Sequence, residues 1–300
     1  MFDRTGRLAL ERQLDGNGFS PGLRTVPDRT LAPHGRVLVF NPFYAYANDI
    51  SIGTLRVRFD LQDVRTRTDV AVTTVIRPVV YRDHALFKIP LRERFLVQDG
   101  HDFYAHHRRL DYLNPIAEEY RIGRDGHNFK RYAADMTPID ADGQMQGAGG
   151  KHDADYVGWN APVYAAASGL IVAEHGAALD NEIGGKNYFD PRTLLKDPLS
   201  FWGNYVVIDH GNREFTLYGH LRHGSIRVRV ARRVRLGERI GNIGASGSAN
   251  NPHLHFELQN GPQLDADGMP VYFTRFHHVI GATLRSVQLG PIDTGQIIEP

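Results

Sequence analysis

The chain has 300 residues, enough for one or two domains that each bury a real core. Lys and Arg number 35 and Asp and Glu 34, so a net charge of +1 gives no electrostatic case for nucleic acid as the main partner. Cysteine is absent, which excludes a disulfide framework and any thiolate metal site; a metal would have to be held by carboxylates and by some of the 15 histidines.

Residues 1–30 are polar, with scattered Gly and Pro, and are predicted to form an irregular arm. They show neither the apolar run nor the basic start of an export signal. No stretch approaches the roughly 18 apolar residues that cross a bilayer, so a soluble protein with no membrane span is expected. From Arg36 the pattern changes to short β-branched runs: RVLVF (36–40), TLRVRFDL (54–61), VAVTTVI (70–76) and ALFKIPL (85–91). Several alternate polar with apolar, the signature of half-buried strands. They predict an immunoglobulin-like β-sandwich over residues 31–95, an accessory domain with no catalytic cluster.

Residues 96–160 are rich in loop chemistry, with a candidate helix at NPIAEEYRIG (114–123) and a Gly-rich tract at 140–160. Strand-like segments return at 161–173, 204–211, 215–221, 225–244 and 252–258, punctuated by glycines at 237, 241, 244 and 247. The fold class expected is mostly β, the second domain being antiparallel with long loops.

The most informative segment is PHLHFE, 252–257. Two histidines two apart on a strand share a face, so His253 and His255 can address one site. A lone pair of this kind is more often merely solvated. His220 in YGHL and Asp135 in RYAADM are each weak signals too, although an aspartate among apolar neighbours, if buried, must be paired, protonated or metal-bound. Their co-occurrence around the glycine-rich turns carries the weight.

Residues 131–258 resemble the lysostaphin-like (LytM-type) zinc metallopeptidases. The resemblance rests on YAAD (132–135), APVYAAASGLIV (161–172), GNYVVIDHGNREFTLYGHL (203–221), VRVARRVRLGERIGNIGASG (228–247) and NPHLHFEL (251–258). It implies a zinc metalloendopeptidase domain over 96–300, with motif core 127–258 and peptidoglycan peptides as substrate. It implies Asp135 and His255 as zinc ligands, His220 and His253 as catalytic residues, and an envelope or secreted location. The family's first ligand histidine precedes the aspartate by four residues, where this chain has Arg131, which cannot ligate zinc. His107 in AHHRR is the expected replacement; His127 is the alternative, with His106 behind it.

Other histidines read as structural or surface residues. His210 belongs to a turn, His152 with Asp153 and Asp155 to a solvated loop, and His277 and His278 to the periphery. Asp180–Asn181 stands in a loop that could rim a groove. A catalytically silent relative that binds peptidoglycan or activates another hydrolase is the competing reading. A lipoyl-type carrier hairpin is disfavoured, because residues 228–241 offer no lysine at a tip.

Overall fold

A computed structural model describes residues 1–12, 30–34, 50–102, 105–108, 130–147, 149–263 and 266–300. Contacts divide the chain into two compact units, Met1–Arg82 and Asp83–Pro300.

The first unit contains a three-stranded antiparallel sheet of β1 (Phe2–Asp3), β2 (Ile52–Gln62) and β3 (Asp69–Ile76), in that order. The arm expected to be irregular thus contributes a short strand. Asp63 closes the β2–β3 turn by accepting hydrogen bonds from the amides of Arg65 and Thr66. β3 is exposed along its whole length, on both faces. Among the described residues no second sheet covers it, so the expected sandwich is not found; RVLVF lies outside the described residues.

The second unit begins well before residue 95, the boundary expected from sequence. Phe87, Ile89 and Leu91 of the ALFKIPL run are buried in its core rather than in the first unit. The buried Glu214 carboxylate accepts from the amides of His84 and Ala85, fixing the entry of the chain. Its strands are β4 (Phe95–Asp99), β5 (Ala134–Pro138), β6 (Pro162–Tyr164), β7 (Gly169–His175), β8 (Asn204–Asp209), β9 (Phe215–Leu221), β10 (Arg233–Val234), β11 (Arg239–Asn242), β12 (Leu254–Gln259), β13 (Gly268–Met269), β14 (Phe273–Ile280), β15 (Thr283–Gly290) and β16 (Ile297–Glu299). One large antiparallel sheet runs β10-β7-β8-β9-β12-β5-β4-β16-β14-β15, with β13 on β12; β6 and β11 pair separately. Residues 161–173 are two strands rather than one. The arginine-rich stretch 225–244 holds only the short β10 and β11, with Ala231 left-handed at φ 69° and Gly237 at 74° where the chain turns. The candidate helix at 114–123 lies outside the described residues.

Period-2 alternation builds the centre of the sheet. Leu254, Phe256 and Leu258 of β12, with Ala134 and Met136 of β5, enter the main core. His255, Glu257 and Asp135 therefore project to the opposite face. There a smaller cluster of Leu194, Phe201, Trp202, Tyr205, Val207 and Leu217 supplies the apolar wall.

Candidate metal centre

The site is a row across four adjacent strands. Asp99 of β4 is in register with Asp135 of β5, Asp135 with His255 of β12, and His255 with Gly219 of β9. Plain alternation already aims Asp135 and His255 at one another, and His255 Nδ1 lies 2.9 Å from Asp135 Oδ1.

Two departures from alternation add the neighbours. On β9, His220 has φ 58°, an unusual conformation for a residue with a side chain. Tyr218 and Leu221 both pack in the main core, so the left-handed residue between them breaks the phase. His220 thereby joins the site face, its ring centroid 4.9 Å from His253 and 5.8 Å from His255. On β4, Phe95 and Val97 point into the main core, and Asp99 would follow them. A bulge between Val97 and Asp99 intervenes and turns Asp99 to the site face.

His107 completes the group from the segment after β4. It is 3% exposed, its Nε2 lies 3.5 Å from Asp135 Oδ2, and its ring stands edge-on to His255 at 4.9 Å. His253 Nε2 lies 3.6 Å from Asp135 Oδ1. Five of the sequence-predicted residues, His107, Asp135, His220, His253 and His255, thus meet in one place. The alternative His127 lies outside the described residues. Arg131 is not at the centre; its guanidinium lies over the Tyr132 ring.

Hydrogen bonds select the tautomers. Nδ1 of His220 lies 2.9 Å from the Ser246 carbonyl and Nδ1 of His253 lies 2.8 Å from the Asn251 carbonyl. Each must donate, which leaves Nε2 of both rings as the free nitrogen. His255 stacks on Trp202 at 4.1 Å, and the buried Lys130 ammonium sits 4.0 Å from the same indole. Behind His255, Nε2 faces the Glu257 carboxylate at 3.7 Å, and both side chains are buried.

The electrostatics follow from burial and proximity. Burial alone would raise Asp135, but the facing charges of His107 and His253 and the hydrogen bond with His255 hold it well below the usual carboxylate range. Burial pushes His107 down, against the pull of Asp135. His220 is pushed well below the ordinary histidine value by burial and by His253 and His255, so it stays neutral. Burial opposes the charge on His255 as well, but its hydrogen bond with Asp135 and the Glu257 carboxylate facing its other nitrogen prevail and raise it.

A buried carboxylate among four imidazoles is a donor set for a divalent cation. Two imidazole nitrogens and one carboxylate suit zinc and leave a fourth position open. One ligand-type atom from each of Asp99, His106, His107 and Asp135 also lies within 4.8 Å of the others. In that second grouping, though, Asp99 already accepts from the backbone amides of both His106 and His107, at 2.7 and 2.8 Å. Asp99 was not picked out from sequence. Its only signal is an acidic residue in phase with two core residues at a strand end, just before a glycine. That glycine, Gly100, is required: a Cβ there would lie 2.7 Å from the Ile292 carbonyl oxygen.

The remaining candidates lie elsewhere. His210 Nδ1 lies 2.9 Å from the Ser168 carbonyl and Nε2 2.7 Å from Thr216 Oγ1, a structural strap beside β8. Asp155 caps its own loop through the amides of Lys151 and His152. His277 and His278 sit on β14, paired with β15 and β16. The Asp180 carboxylate accepts from the amides of His223 and Ala245, and Asn181 donates to the carbonyls of Gly247 and Ala249.

Residues 154–266 match peptidase family M23. Cell division protein DipM of Caulobacter vibrioides is 37% identical over 70 residues, 23% of this chain and 11% of that protein. Peptidoglycan DD-endopeptidase ShyA of Vibrio cholerae is 50% identical over 56 residues, 19% of this chain and 13% of that protein. Murein hydrolase activator EnvC of Escherichia coli is 36% identical over 91 residues, 30% of this chain and 20% of that protein. The chain thus spans no more than a fifth of the length of these relatives. Among solved structures, the catalytic domain of lysostaphin from Staphylococcus simulans aligns with a TM-score of 0.28 at 19% identity, covering 51% of this chain and 92% of that one. His107 and Asp135 fall before the matched segment; His220, His253 and His255 fall within it. Residues 154–266 are thus similar to peptidase family M23, the likeness its lysostaphin-like motifs led one to expect.

Proposed function

We propose that the chain is a zinc-dependent endopeptidase that hydrolyses amide bonds in peptidoglycan peptides. His107, Asp135 and His255 are the zinc ligands, and His220 and His253 the catalytic histidines. Residues 83–300 form the peptidase domain and the first unit is an accessory. The observation that carries this reading is the meeting of one carboxylate and four histidines, drawn from residues 107–255 of the chain, at a buried point of the sheet face. The ShyA likeness supports peptidoglycan as the substrate class.

Bound there, zinc supplies a water with a pKa of about 7 and a Lewis acid for the scissile carbonyl. Asp135 and His255 stand at hydrogen-bond distance, a pre-set pair that needs little rearrangement to share one cation. His220 and His253 keep Nδ1 tied to backbone carbonyls and present Nε2 as the working nitrogen. The neutral ring of His220 can accept a proton and return it to the leaving amine. Trp202 walls the site from water on the far side of His255.

Zinc counted in the purified protein, together with release of peptide from peptidoglycan, tests the proposal. His255→Ala and Asp135→Ala should lose metal and activity together. His253→Ala should keep the metal and lose activity by about 10²- to 10⁴-fold, the usual contribution of an acid–base group. The reverse pattern would exchange the two roles. A second reading has support in the likeness to the activator EnvC. A protein that binds no zinc, cuts nothing and stimulates a separate hydrolase would establish that reading instead.

A further inference from the structure

The Asp99 carboxylate has no place in the row of ligands, yet it is the most heavily engaged acidic group near them. It is 2% exposed. Oδ1 accepts from the His106 amide at 2.7 Å and Oδ2 from the His107 amide at 2.8 Å. The same Oδ2 lies 2.6 Å from His107 Nδ1 and 3.1 Å from Nδ1 of the half-exposed His106. The contact to His107 Nδ1 falls off the line of an ideal N–H···O bond, so distance and charge hold it more than alignment.

A neutral imidazole carries one proton. With an anionic oxygen 2.6 Å from Nδ1, the proton belongs on Nδ1, and Nε2 keeps its lone pair. Nε2 is the nitrogen that lies 3.5 Å from Asp135. The two backbone bonds meanwhile fix the main chain of the residue that carries the ring. Asp99 therefore sets the position, the orientation and the tautomer of His107. The bulge in β4 is what makes this possible, because without it the carboxylate would point into the core beside Phe95 and Val97. Both partners precede residues 154–266, the segment matched to the family.

We propose that Asp99 is the positioning residue for His107, so that zinc affinity depends on a side chain that never touches the metal. The inference rests on the assignment of His107 as a ligand. An outer partner of this kind contributes about 10- to 100-fold in metal affinity.

The test is zinc affinity by chelator competition, with thermal melting of the metal-free protein measured in parallel. Asp99→Asn, which keeps an oxygen for one backbone amide but lacks the anion, should weaken zinc binding about 10- to 100-fold. The visible spectrum of the cobalt-substituted protein should change with it, because a mis-set His107 alters the ligand field. Should Asp99→Asn fail to fold, Asp99→Ser takes its place, as it removes the carboxylate and fills little space. His106→Ala, which removes the exposed ring from the same carboxylate, should leave affinity within about twofold of the parent, below the effect of an outer partner. His107→Ala separates the two hypotheses. If it loses zinc while the Asp99 variants bind as tightly as the parent with an unchanged cobalt spectrum, the positioning role is wrong and the ligand assignment stands. If His107→Ala itself binds zinc normally, the ligand assignment fails.

Discussion

At the scale of single residues, the site depends on which nitrogen of each ring is free, and that choice is made by backbone carbonyls. The Ser246 and Asn251 carbonyls settle it for His220 and His253, and a carboxylate faces the outer nitrogen of His255. Glu257 is fully buried, and neither of its oxygens has a hydrogen-bond partner within bonding distance. A buried carboxylate without a hydrogen bond is costly unless a cation or polarised donor faces it. Glu257→Gln should therefore weaken zinc binding by roughly tenfold while leaving the metal-free protein as stable as the parent or more so; paired zinc titrations and urea midpoints check both halves. Tyr218→Phe should do the reverse. Its hydroxyl oxygen accepts from the Ala166 amide at 2.7 Å, deep in the core and away from the proposed metal ligands. Losing it should cost about 1–3 kcal/mol of stability, with zinc affinity unchanged.

At the scale of elements, irregularities decide more than regular pairing does. The β4 bulge exists because Gln98 is one residue too many for its partner strand. Deleting Gln98 should restore plain alternation and set Asp99 directly after Val97, still on the site face. Zinc affinity by chelator competition should then fall less than in Asp99→Asn. Regular elements were readable in the sequence. The spacing of His253 and His255 and the apolar residues around Asp135 follow from period 2 alone, and so does the mostly antiparallel sheet. The left-handed His220 and the bulge before Asp99 were not readable, since each is a break in phase enforced by tertiary packing. The proposed first ligand was half legible: the vacancy at Arg131 pointed upstream, but only the proximity of His107 to Asp135 favours that histidine. The sandwich failed for a related reason. Alternation in residues 54–76 identifies strands correctly but says nothing about whether a second sheet lies over them.

At the scale of the whole molecule, the described core clusters and the proposed site both lie in the second unit. A chain trimmed to residues 83–300 should fold and bind zinc with undiminished affinity, as among the described residues its core clusters reach back no further than Ala85. That unit also carries a pH dependence. Burial pushes His101 down to about 4, with Asp102 pulling the other way, and burial depresses His210 likewise. A histidine whose folded pKa is depressed contributes fully above its unfolded value of about 6.5, and its contribution is lost as pH falls through the folded value. The metal-free protein should therefore lose stability between about pH 6.5 and 4. His255, raised rather than lowered, works the other way above that window. Urea midpoints at pH 7 and pH 5 would show the fall, and His210→Asn should flatten it.

The proposed ligands stand at positions 107, 135 and 255, the last two on strands that meet only in the folded sheet. An ion gripped by all three is a staple closing loops that together span nearly half the polypeptide. Holding such an ion at a thousand times its dissociation constant adds about 4 kcal/mol to the folding free energy. Stripping it should expose the molecule to proteases at temperatures the loaded form survives, so nicking under a chelator would begin at the ends this staple ties together.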